Sequence, residues 1–296
     1  MHTVHRHGYP DHGSAFFPFM TQLTEETFEK TLRSFIRSER IDLGGVTFID
    51  PYGMVGLLEI GELCMLEDVK KTIVLPRSPE VCRYLERMDF FSHAKRYFTL
   101  EPMQPPSDGS SGASDVLLEI TPIERANDIH YIVGKVRERA QAILTAHLRY
   151  DERAINGFIV ALSEVCQNII EHSENKGFVG IQKYRFPSLG KNIVKIAVMD
   201  AGIGFRRSLS NRFKLKSDLE AIEKGLLQGA SRHEDEGRGH GLAAVRRFVT
   251  QWQGRLSIRS GSARLSLIPK WSRGREKELN LTQFPGSQIN IILPEM

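Results

Sequence analysis

The sequence predicts two α/β units in one chain: an N-terminal layered unit at residues 1–100 and a C-terminal unit of helices and strands at residues 116–296. Three observations predict it. Strand-like and helix-like apolar runs alternate through the first unit. The run 101–115, EPMQPPSDGSSGASD, has no apolar period and is dominated by Pro, Ser, Gly and Asp, which makes it a linker. The second unit carries a long amphipathic helix, then glycine-bearing segments delivered from the ends of apolar runs. The length of 296 residues agrees, since one core usually takes about 100–200.

In the first unit, Phe28, Leu32, Phe35 and Ile36 recur at helical spacing over Glu25–Arg37, behind a cap signal at Thr24. Val46–Ile49 reads as a short buried strand. Asp50-Pro51-Tyr52-Gly53 is a turn whose proline sets φ for a helix start. Met54–Met65 is that helix, Thr72–Leu75 a further strand, and Pro79–Met88 an amphipathic helix. The unit resembles the STAS domains of anti-sigma-factor antagonists. The resemblance rests on Ile41-Asp42-Leu43, on Val46-Thr47-Phe48-Ile49-Asp50, on Gly53 opening a Leu-rich helix, and on Val74-Leu75-Pro76. In that family the residue after the Asp of the turn is usually a Ser or Thr phosphorylated by partner kinases. Pro51 stands there in this chain and has no hydroxyl, so the resemblance implies a docking or packing module, not a phosphoacceptor.

The second unit contains a helix around Ala126–Thr145 and a stronger one over Tyr150–Ser173, with Asp151 as its cap. Phe158, Leu162, Val165 and Ile169 form one apolar stripe on it. Glu164, Asn168 and His172, four residues apart, line a neighbouring face. Asn192–Met199 then runs like a buried strand and delivers Asp200-Ala201-Gly202-Ile203-Gly204, where a carboxylate and two spaced glycines let a planar ligand approach backbone. Gly237-Arg238-Gly239-His240-Gly241-Leu242 opens a helical pattern over Leu242–Trp252, closed by Gly254. Alternating glycines at a helix start expose N–H groups toward an anion, which makes this segment a candidate phosphate cradle. No GxxxxGK[ST] occurs, so a P-loop is excluded.

Taken singly, each of these residues has an ordinary structural reading. Their order and spacing together resemble the nucleotide site of the GHKL superfamily, the gyrase and histidine-kinase ATPases, which implies the Bergerat α/β sandwich of helices packed on a mixed sheet. The resemblance covers residues 150–296, with Gly286-Ser287 before the strand Gln288–Leu293 matching the family's last nucleotide-proximal turn. It implies ATP and Mg²⁺. Asn168 would hold the metal through its amide oxygen, and Asp200 would accept from the adenine amine. Gly202 and Gly204 would leave room for base and ribose, and Gly237, Gly239 and Gly241 would wrap the phosphates, with Arg238, His240, Leu242 and Ser287 beside them. Glu164 would be the general base. His172 is expected to support the site. Phe205–Glu236 falls where the family carries its ATP lid, and Arg232 and Arg238 are candidates for the γ-phosphate.

An apolar share of 41% and a charged share of 26% are those of an ordinary globular protein, and no apolar run reaches the ~18 residues that cross a bilayer. His2, His5, His7 and His12 mark a polar tail instead of a leader. Cys64, Cys82 and Cys166 are unpatterned and expected as reduced thiols, which points to the cytoplasm. A net charge of +4 is nearly balanced, so nucleic acid is not an expected partner, and Lys270–Lys277 reads as a solvated basic loop. Function divides three ways: an anti-sigma-type serine/threonine kinase, an ATP-hydrolysing or ATP-gated switch, or a binding protein with a degenerate site. Glu164 argues against the last. A sensor histidine kinase is disfavoured because one helix, not a hairpin, precedes the ATP module, and His130 and His147 lack the following acid. The resemblance implies protein partners, a sigma factor or a STAS-type regulator among them, and is compatible with a homodimer.

Overall fold

The computed structural model describes residues 20–103, 116–230 and 241–296. The N-terminal part runs β1 (Gln22–Leu23), α1 (Glu25–Arg37), β2 (Arg40–Asp42), β3 (Phe48–Ile49), α2 (Pro51–Leu66), β4 (Lys71–Val74), α3 (Pro79–Arg87), α4 (Phe90–Tyr97) and β5 (Phe98–Glu101). Its strands pair in parallel, β2-β4-β5 in one sheet and β1-β3 in another. The predicted turn at Asp50 is already the first turn of α2. Asp50 Oδ1 accepts the Gly53 N–H at 3.0 Å, and Pro51 sits where a missing donor is harmless. From Pro51 to Glu62 every residue of α2 is buried, whichever side it faces. Such a helix must be enclosed on all sides.

The C-terminal part runs β6 (Val116–Ile123), α5 (Ala126–Ile143), a π-helical turn (Leu144–Leu148), α6 (Glu152–His172), β7 (Gly177–Phe186), β8 (Lys191–Asp200), α7 (Gly204–Leu209), α8 (Asp218–Gln228), α9 (Gly241–Gln251), β9 (Arg255–Gly261), β10 (Ala263–Leu267), β11 (Lys277–Glu278) and β12 (Phe284–Pro294). Seven strands form one sheet in the order β11-β10-β9-β12-β8-β7-β6. The α/β sandwich is as expected, and in the sheet, expected as mixed, every neighbouring pair is antiparallel. The reason is β12. Strands β8 and β9 run in the same direction across their helical connection, and β12 inserts between them, antiparallel to both.

One core lies between this sheet and α5, α6 and α9. Phe158, Leu162, Val165 and Ile169 of the predicted stripe are all in it, against Val198, Ile289 and Ile291. Burying each such side chain is worth about 1.5–3 kcal/mol. The second core lies on the reverse face, where Phe178, Ala197, Met199 and Phe284 of the sheet meet the apolar side chains of α1, α2 and α4. The two halves of the chain therefore share one core, with α2 enclosed between them.

That reverse face is also ionic. Lys195 Nζ lies 2.8 Å from Asp50 Oδ2 and Lys176 Nζ 3.0 Å from Glu62 Oε2. Arg259 Nε lies 2.6 Å from Glu29 Oε2, and Arg264 Nη1 3.3 Å from Glu25 Oε1. Tyr84 and Tyr184 share a hydroxyl–hydroxyl hydrogen bond of 2.5 Å across the same junction. The three cysteines are buried and free. Among the described residues no helix is long and apolar enough to cross a membrane.

Candidate functional site

Helix α6 starts on Asp151, whose Oδ1 accepts the Ala154 N–H at 2.7 Å. With the apolar stripe buried, Glu164, Asn168 and His172 are left half-buried along the next face. Burial raises the Glu164 pKa above its ordinary value, and repulsion from Glu171 adds to that. The Asn168 amide nitrogen donates to the Glu164 carbonyl at 2.8 Å, so the oxygen is the amide atom this bond leaves for a ligand. His172 Nε2 stands 3.8 Å from Glu171 Oε2.

Gly241, at the first turn of α9, faces Glu164. A Cβ at position 241 would overlap Glu164 Oε2, so a larger residue there would push that carboxylate aside. The sheet supplies the second group of residues. Asp200 ends β8 with 1% exposure, and the β8–β12 register places it beside Ser287. Its Oδ1 accepts the Gly202 N–H at 2.9 Å; its Oδ2 accepts from the Ser287 N–H at 3.2 Å and from the Ser287 hydroxyl. Burial nonetheless raises the Asp200 pKa, these donors opposing the shift.

Two glycines make this group tight. A Cβ at Gly202 would overlap the backbone oxygen of Ser173, and one at Gly286, where φ is +74°, would overlap the Asp200 carbonyl. The Ile203 N–H donates to the Ser173 carbonyl at 2.9 Å, stitching the end of α6 to the Asp200 loop. Gly204, with φ of +70°, opens α7. Ser260 ties that turn to the last one: its hydroxyl donates to the Gly286 carbonyl at 2.7 Å and accepts the Phe205 N–H at 3.1 Å. Sequence reasoning missed Ser173 and Ser260. Ser173 directly follows the Glu-Asn-His run, a usable hint; Ser260 sits inside a strand and only tertiary register marks it.

The structure thus brings Glu164, one helical turn from Asn168, together with Gly241, and Asp200 together with Gly202 and Ser287, with Gly204 against the Gly286 carbonyl. Leu242 points its side chain into the core under α9. Gly237, Arg238, Gly239 and His240, with Arg232, lie outside the described residues. The segment expected as a lid is folded over much of its length. Helix α8 buries Ala221, Ile222 and Leu226, with Ser217 as its cap, so apolar anchoring holds it to the core. Among the described residues no group of three or more His, Cys, Asp or Glu could hold a metal. A Mg²⁺ site with one protein ligand and otherwise phosphate oxygens and water needs none.

Residues 155–294 match the family described as histidine kinase-, DNA gyrase B- and HSP90-like ATPase. The chain therefore carries an ATP-binding domain of the GHKL class there, just under half of its length. A search of curated proteins finds no match to the chain.

Proposed function

We propose that this chain is a cytoplasmic Mg-ATP-dependent regulatory protein that phosphorylates a Ser or Thr of a protein partner, a sigma factor or a STAS-type regulator being the expected class. The observation that carries the reading is the Glu164 carboxylate set against Gly241 at the start of α9, one helical turn from Asn168. A carboxylate whose pKa is raised by burial is a competent acceptor for a hydroxyl proton. In that role Glu164 takes the proton of the attacking hydroxyl while the γ-phosphoryl group moves to that oxygen and ADP leaves. Asp200 and the cradle at Gly202 and Gly286 fit an adenine base, and the Asn168 amide oxygen fits Mg²⁺, which would neutralise phosphate charge.

The N-terminal half is not the acceptor in this reading. Pro51 has no hydroxyl, and Tyr52 is buried with its hydroxyl pKa raised by desolvation. A second reading, an ATP-gated switch that modifies no partner, is favoured by the shared core, through which the nucleotide face and the N-terminal half are one packed body. Incubation of the full chain with γ-labelled ATP and host lysate separates the two. Label on a partner protein supports the kinase; label found only as free phosphate supports the switch. Loss of ATP binding in Asp200→Asn is expected, and unchanged affinity there removes the adenine assignment.

A further inference from the structure

The carboxylate of Asp200 is held from the nucleotide face, but its main-chain carbonyl is held from the other side of the sheet. Gln288 follows Ser287 on β12 and, by strand alternation, points to the reverse face. Its amide nitrogen donates to the Asp200 carbonyl at 3.3 Å and to the Pro285 carbonyl at 2.8 Å. Those two carbonyls flank the Gly286 turn, so one side chain braces both strands of the adenine wall. Gln288 is itself braced: Arg259 Nη1, paired across β9 and β12, donates to Gln288 Oε1 at 3.2 Å. Arg259 also donates to the carbonyls of Gly261 and Thr282, and with 1% exposure its charge needs a counter-ion. The counter-ion comes from the other half of the chain. Glu29 of α1 takes Arg259 in a two-point grip, 2.6 Å from Nε and 3.3 Å from Nη2.

From this continuous run, Glu29 to Arg259 to Gln288 to the Asp200 carbonyl, we infer that the N-terminal half sets the geometry of the adenine pocket. Arg259 and Gln288 are positioning residues, and α1 is the element that nucleotide binding and N-terminal docking bias together. The inference rests on the nucleotide reading above. Its physical content is a hydrogen-bonded network of buried polar groups, where the loss of one member leaves its neighbour unsatisfied and free to move. Coupling of this kind is reciprocal, so ATP must tighten α1 by the same factor by which α1 tightens ATP.

The test uses the full chain and two substitutions outside the pocket. Glu29→Gln keeps size and an acceptor oxygen but removes the charge; Gln288→Met keeps length and removes both donors. The dissociation constants of Mg-ATP and Mg-GTP are measured for each beside wild type, and helix content and thermal midpoint establish folding. Both variants should bind ATP roughly three- to tenfold more weakly, the span of one hydrogen bond, with discrimination between ATP and GTP reduced. ATP affinity equal to wild type in both folded variants overturns the inference. So does an equal loss for both nucleotides, which marks mere loosening. Should either variant fail to fold, amide exchange in the wild type decides: slowing of α1 on addition of Mg-ATP supports the coupling, and unchanged exchange overturns it. Wild type that binds no ATP at all sinks the nucleotide reading itself, a different result from normal binding with unaltered variants.

Discussion

The two faces of the seven-stranded sheet are built by opposite means. On the nucleotide face, Ile289, Ile291 and Leu293 of β12 and Ile258 of β9 enter an apolar core, and the site at its rim is made of glycines, a short carboxylate and hydroxyls. On the reverse face, the alternate residues of the same strands are Gln288, Asn290, Arg255 and Arg259, each buried; Asn290, Arg255 and Arg259 meet carboxylates from α1, and Gln288 is held by Arg259. A ligand face needs room and exposed backbone, which short motifs supply. A face that holds a second half of the chain needs charges matched over a wide area, and each match depends on a residue far away in sequence.

The sharpest break in that comparison is Glu164→Gln. Turnover should fall roughly 10²–10⁴-fold, the usual contribution of a general base, while ATP affinity and the reverse-face packing persist. Phosphate release under saturating ATP checks it, and turnover equal to wild type removes Glu164 from the chemistry. The pH profile adds a signature. Burial, then Glu171, raises the Glu164 pKa, so wild-type activity should be lost as pH falls through a pKa higher than that of an ordinary glutamate. The variant's residual activity should lack that acid limb.

A reverse-face substitution should do the converse. Lys195→Met leaves Asp50, 1% exposed, as a buried charge that keeps only its Gly53 N–H. The expected loss is about 3–5 kcal/mol in urea unfolding, with much of it recovered when Asp50→Asn is added. A loss below about 1 kcal/mol would make this junction no more than a surface ion pair.

Smaller and pH-dependent is the effect of Glu59→Gln. Glu59 is fully buried on α2, and desolvation, then Asp200, then Glu62 raise its pKa well above the usual value. A raised carboxyl pKa supports folding at low pH, and that support fades as pH climbs through the folded-state value. Wild type should therefore lose stability toward alkaline pH where the Gln variant does not. Parallel thermal midpoints across the pH range would contradict the burial of a neutral acid there. The smallest effect expected is Asp151→Ala, which removes the cap of α6 and should cost about 1 kcal/mol in thermal unfolding with ATP affinity unchanged.

What was legible in the sequence was local. The stripe on α6, the cap at Asp151, the Glu164-Asn168-His172 face and the glycines after Asp200 all follow from residues within a few turns of one another, whose relation the helix or strand period already determines. The helix boundaries came out within a few residues for the same reason. Within the segment expected as a lid, α8 was not read, because a charged run hides the buried Ala221, Ile222 and Leu226.

The remainder was decided by tertiary structure. That β12 would insert between β8 and β9, setting Ser287 beside Asp200, cannot be read from either segment alone. Nor can the grip of Glu29 on Arg259, 230 positions away, which makes a strand arginine a buried brace. Periodicity reports which face a side chain takes, since that depends on the few bonds around it. Which partner meets that face depends on strand order and register, and those are set by the packing of the whole chain at once.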